Sequence, residues 1–72
     1  MTANRMIELM NRTPFELLEI HLSDGERIQV EHPYQISTLP NRPTCTIYTE
    51  DERMRIVTYR NITEVITAVN GE

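Results

Sequence analysis

The sequence has no lysine, a single cysteine and no long apolar run, and each shortage excludes a class of protein. Cys45 cannot form an internal disulfide and cannot build a zinc site alone, so a reducing cytoplasm is the expected setting. No run approaches the ~20 apolar residues of a membrane span. The first six residues lack the apolar core of a signal peptide. The sequence therefore predicts a cytoplasmic protein without a membrane partner.

Acidic residues outnumber basic ones in this chain. Seven arginines stand against nine glutamates and two aspartates, and the net charge is -4. Proteins that bind phosphate backbones normally cluster positive charge, so this balance disfavours RNA, although a local patch can outweigh it. The 72 residues are predicted to form one domain, 1–72, whose small core must be compact or shared between subunits.

The first half of the chain changes from a helical to an alternating apolar pattern. Apolar spacing predicts a helix over residues 3–12, capped by Asn4 or alternatively Thr2 and ended by the approach to Pro14. Alternation then predicts strands at about 16–22 and 26–37. Pro33 cannot donate to a strand ladder, so the second strand is expected to bend at His32-Pro33.

The turn between these strands can be predicted to the residue. A two-residue loop at Asp24-Gly25 would place polar residues opposite core residues. A three-residue loop, Ser23–Gly25, instead sets Ile20 opposite Ile28. It also puts Gly25 where a type I turn with a bulge needs left-handed backbone. We therefore predict the three-residue loop.

The second half predicts strands at about 44–49, 53–59 and 64–69. A turn about Glu50-Asp51 joins the first two of these. Their apolar residues would then form two core pairs, Ile47 with Met54 and Cys45 with Ile56. The outer face would pair Tyr48 with Arg53 and Thr46 with Arg55.

These elements predict a mainly β fold: a short N-terminal helix followed by a five-stranded, strongly bent meander sheet. So short a sheet leaves unpaired edges, which proteins commonly remove by closing a small barrel. The kink at Pro33 lies where such a bend is needed. It favours a small SH3-like or Sm-like barrel over a flat sheet.

One stretch of the chain has a recognisable signature. Residues Pro14–Gly25 read PFELLEIHLSDG, and Val30-Glu31-His32-Pro33 follows. The stretch resembles a group of small uncharacterised bacterial proteins with Pro-Phe, Ile-x-Leu-x-Asp-Gly and Val-x-His-Pro signatures. That resemblance implies no function, because none is known for the group.

The order of elements resembles that of Sm-like, Hfq-like proteins. The segment Tyr59-Arg60-Asn61-Ile62 is similar to the second Sm motif, in which a Tyr-Lys-His-type turn precedes the last strand. The resemblance implies that Arg60 and Asn61 lie in a turn facing a ring pore that binds uridine-rich RNA. Here arginine replaces the lysine of that motif and asparagine the histidine. Tyr59, Arg60 and Asn61 are therefore candidate RNA contacts.

Other side chains offer weaker candidates. Tyr48, Arg53 and Arg55 would share one exposed face, and aromatic residues and arginine are enriched at binding hot spots and stack on bases. His21 is expected to be a solvated residue of the outer face, opposite Arg27. His32 is expected to bond a backbone group near Pro33.

No pairing of nucleophile with base and no ligand cluster points to catalysis, a metal or a cofactor. The leading hypothesis is a non-enzymatic binding or assembly module that forms a homo-oligomer, because self-association would cover the edges of a small barrel. The alternative is an Sm-like RNA-binding protein. A small enzyme or cofactor carrier is the third and weakest hypothesis.

Overall fold

The computed structural model describes residues 1–49 and 51–67. A helix, α1 (Ala3–Met10), precedes two antiparallel three-stranded sheets, ordered β2-β1-β6 and β3-β4-β5. The strands of the described chain are β1 Leu18–Leu22, β2 Arg27–Val30, β3 Ile36–Ser37, β4 Thr44–Tyr48, β5 Met54–Thr58 and β6 Ile62–Thr67. The mainly β prediction is confirmed. The predicted number of five strands is wrong, since the described residues form six.

The N-terminal helix begins as predicted and ends two residues early. Thr2 is its cap, and the Thr2 hydroxyl accepts a hydrogen bond from the Arg5 backbone N–H at 3.1 Å. One helix face enters the core through Ala3, Met6 and Leu9. Within the described residues, no helix has the length and apolar character needed to cross a membrane.

The first hairpin confirms the predicted register. Ile20 lies opposite Ile28 and Leu18 opposite Val30. Gly25 has a φ of 91°, in the left-handed region that favours glycine. The alternation of apolar residues and the glycine in the turn agree, and together they specify this hairpin.

The predicted bent strand over 26–37 is two strands that belong to different sheets. β2 ends at Val30, a 3-10 turn occupies Pro33–Gln35, and β3 follows at once. Proline suits the first position of such a turn because its fixed φ is helical and it has no N–H to satisfy there. The bend was thus predicted at the right place, but it transfers the chain from one sheet to the other. The ladders of the described residues do not close into a barrel.

The predicted register of the second hairpin is wrong by one residue. Tyr48 lies opposite Met54, and Ile47 opposite Arg55. A one-residue slip moves every side chain of a strand to the other face. Met54 and Ile56, predicted in the core, are therefore 61% and 68% exposed, while Val57 is buried.

The loop length explains this slip. The Thr49 backbone N–H donates to the Arg53 carbonyl at 2.9 Å, so three residues separate the paired positions, as in the first hairpin. Glu52 has a φ of 65° and takes the left-handed position that Gly25 takes in the other turn. No glycine marks this turn in the sequence. Glu50, part of the predicted turn, lies outside the described residues.

The last strand joins the first sheet by pairing with β1. It begins at Ile62, two residues before the predicted start, and positions 68 and 69 of the predicted strand lie outside the described residues. A bulge between His21 and Leu22 shifts its register. One cluster of buried apolar side chains joins α1 to both sheets, and Cys45 belongs to it, as predicted.

Candidate functional site

The three residues suggested by the Sm motif have different environments. Tyr59 is a core residue rather than a surface contact, and its hydroxyl donates to Thr38 Oγ1 at 2.7 Å. Burial raises the pKa of Tyr59 to about 12. Arg60 and Asn61 are exposed in the 3-10 turn Tyr59–Asn61. The Asn61 carbonyl accepts from the Ser23 backbone N–H at 2.8 Å, which holds this turn against the first hairpin.

Arg60 lines an open groove of about 600 Å³, which we call the basic groove. Arg42 also lines it, together with Thr2 and Asn4 at the start of α1. Neither arginine forms an ion pair with another described residue, whereas four of the other five arginines do. Among the described residues, no carboxylate lines this groove. The groove is therefore a local excess of positive charge on an acidic chain.

The other two candidate arginines are neutralised by nearby carboxylates. Arg55 pairs with Glu26 of the first hairpin through both of its terminal nitrogens, and Nη2 lies 2.8 Å from Glu26 Oε1. This pairing raises the pKa of Arg55. Arg53 Nε lies 3.2 Å from Asp51 Oδ2. The predicted pairs of Tyr48 with Arg53 and of Thr46 with Arg55 do not form, because the register differs.

The corrected register creates an apolar surface on the second sheet. Tyr48, Met54 and Ile56 lie on its outer side beside Thr46, and we call these four residues the apolar face. The outward positions of β4 and β5 carry only threonine, tyrosine, methionine and isoleucine. In the described chain β5 pairs only with β4, so the apolar face reaches a sheet edge.

A second cleft, of about 320 Å³, lies where β2 and β4 end, and we call it the aromatic cleft. Both exposed tyrosines of the described chain, Tyr34 and Tyr48, line it, as do Glu31 and His32. The rings of His32 and Tyr34 stack with centroids 5.0 Å apart and an interplanar angle of 6°.

Gln35 holds the two sides of this cleft together. Its side chain is buried, and Oε1 accepts from the backbone N–H groups of Glu31 at 2.8 Å and His32 at 2.9 Å. Its Nε2 donates to the Tyr48 carbonyl at 3.0 Å. Gln35 thus satisfies the backbone N–H groups just before Pro33. The sequence reasoning missed this residue, and the proline two positions earlier was the available signal.

His21 lies at the centre of a charged row on the first sheet. It is opposite Arg27, as predicted, but its side chain is half-buried rather than solvated. Nε2 lies 2.8 Å from Glu19 Oε1, and Nδ1 lies 3.6 Å from Glu64 Oε1. The hydrogen bond from His21 lowers the pKa of Glu19. Among the described residues, no three histidine, cysteine, aspartate or glutamate side chains are placed to hold a metal ion.

Cys45 is the one thiol of the chain, and it is buried. Burial raises its pKa, which favours the neutral thiol over the nucleophilic thiolate.

Comparisons with family models, curated proteins and solved structures found no match. The candidate sites are therefore defined by geometry: the apolar face, the basic groove and the aromatic cleft.

Proposed function

We propose that this protein is a non-enzymatic assembly module that self-associates through the apolar face. The observation that carries the proposal is the exposure of Met54, Ile56 and Tyr48 side by side on a face without charge. Contiguous apolar surface of this kind marks interaction sites on soluble proteins.

A second copy of the chain is the occupant that the charges favour. Each copy carries -4, so two copies approach with least repulsion where neither presents charge, and the outward positions of β4 and β5 meet that condition. The free edge of β5 offers unpaired backbone groups that an antiparallel copy of β5 can satisfy. Such a twofold contact is self-complementary, and it would join the β3-β4-β5 sheets of the two copies.

Sedimentation of the purified protein tests this proposal. The protein should form a dimer or larger assembly, and Ile56→Glu should shift it to monomer by placing a charge on the apolar face. Leu39→Glu is the matched control, because Leu39 is also a large exposed apolar residue (58%) but lies outside β4 and β5. A wild-type protein that stays monomeric at high concentration would contradict the proposal.

The two sheets of the described chain, which are connected at Pro33, stay open and leave strand edges that self-association can cover. A cytoplasmic location is consistent with a single buried cysteine.

RNA binding is the second candidate function, and the basic groove favours it. Arg42 and Arg60 are free of ion pairs within the described chain and share a surface without carboxylates among the described residues.

Fluorescence anisotropy with a short uridine-rich RNA should show binding that strengthens as salt falls. Replacing both arginines by glutamine should make the plot of log affinity against log salt concentration less steep, by about 0.7 for each lost phosphate contact. Arg12→Gln is the control, since Arg12 is paired with Glu16. Absence of binding at low salt would eliminate this function.

A further inference from the structure

The aromatic cleft combines ring faces with a free carboxylate. Tyr34 is 76% exposed, and its ring is oriented by stacking on His32. Tyr48 lines the same cleft. Glu31 also lines it, is exposed, and forms no ion pair with any other residue that the structure describes.

The cleft is built in advance of any ligand. Gln35 lies beneath it, only 7% exposed, and bonds the backbone on both sides. Two of its bonds fix Glu31 and His32, and the third fixes Tyr48. Because each bonded residue also lines the cleft, its walls are held at a set separation before binding. A preformed site loses less conformational entropy when a ligand enters.

The chemistry of these walls selects for a positive ligand. The faces of aromatic rings carry negative potential and attract cations within about 6 Å of the ring centre. The Glu31 carboxylate adds a full negative charge. A weakly hydrated organic cation suits such a site better than a small metal ion, because its methyl or planar surface gains contact with the rings while its charge faces the carboxylate.

We propose that the aromatic cleft binds an organic cation, namely a methylated ammonium or a guanidinium group. This goes beyond the proposed self-association. Tyr34 belongs to the cleft and not to the apolar face, so its replacement tests the cleft alone.

Amide NMR titrations of the whole protein with choline and with methylguanidinium test the proposal. At least one cation should shift the Gln35 side-chain amide saturably. Which of the two cations binds shows whether the cleft takes a methylated ammonium or a guanidinium group. Dimethylbutanol, the neutral carbon isostere of choline, should bind more weakly than the cation.

Variants complete the test. Tyr34→Ala should weaken binding by about 2- to 5-fold, the loss expected for one exposed cation–π contact. Glu31→Gln should weaken it as well, while Leu39→Ala outside the cleft should leave it unchanged. The proposal is overturned if neither cation gives a saturable shift, if dimethylbutanol binds as tightly as the cation that binds, or if Tyr34→Ala binds like the wild type.

Discussion

Replacing Gln35 by methionine should destabilise the protein, although the two side chains have nearly the same length. Methionine keeps the length of the side chain but cannot make the three hydrogen bonds of Gln35, at 2.8, 2.9 and 3.0 Å. A net contribution of about 0.5–1.5 kcal/mol for each bond gives a loss of about 1.5–4.5 kcal/mol. The lower half of this range is expected, because Glu31 and His32 are exposed and their freed N–H groups can bond to water.

Urea unfolding followed by circular dichroism measures this loss. Gln29→Met is a matched control, since Gln29 is the other glutamine of the chain and is exposed on β2. The control should change the free energy of unfolding by less than about 0.5 kcal/mol. If Gln35→Met were as stable as Gln29→Met, Gln35 would not join the two sides of the cleft, and the argument for a preformed site would fail.

Two further predictions concern the hairpin turns and the buried tyrosine. Gly25→Val should cost about 1 kcal/mol or more through backbone strain alone, because an added Cβ meets no atom within 4 Å, whereas Glu52→Gly should stabilise by up to about 1 kcal/mol. Urea unfolding checks both variants. The shared left-handed geometry would be contradicted if both substitutions changed the free energy of unfolding in the same direction. Because the pKa of Tyr59 is raised to about 12 in the folded protein, its protonated hydroxyl stabilises the fold fully below about pH 10. This stabilisation is lost as the pH rises towards 12. Alkaline unfolding of Tyr59→Phe should therefore show a shallower loss of stability over this range than the wild type, and identical profiles would refute it.

The two hairpins show why one register could be predicted and the other could not. In the first, alternation and Gly25 favour the same pairing. In the second, apolar residues occupy both faces of β5, so alternation alone placed Met54 and Ile56 inside. The residue at the left-handed position is Glu52, which carries no turn signal.

The candidate sites depend on contacts distant in sequence, which no local pattern shows. Gln35 bonds Tyr48, thirteen positions away, only because the chain changes sheets at Pro33. Arg42 and Arg60 share a groove because the loop before β4 and the turn before β6 both approach α1. The sequence singled out Arg60 and Tyr48 correctly as exposed residues, but it gave no sign of their neighbours.

Amide hydrogen exchange at two protein concentrations tests whether copies of the chain associate through the apolar face. If copies associate through the apolar face, exchange at the free edge of β5 should slow as concentration rises. Exchange in β1 should keep a constant rate, because β1 is already paired on both sides within the other sheet. Exchange at β5 that does not depend on concentration, in a protein that sedimentation shows to be associated, would place the interface elsewhere and contradict the account.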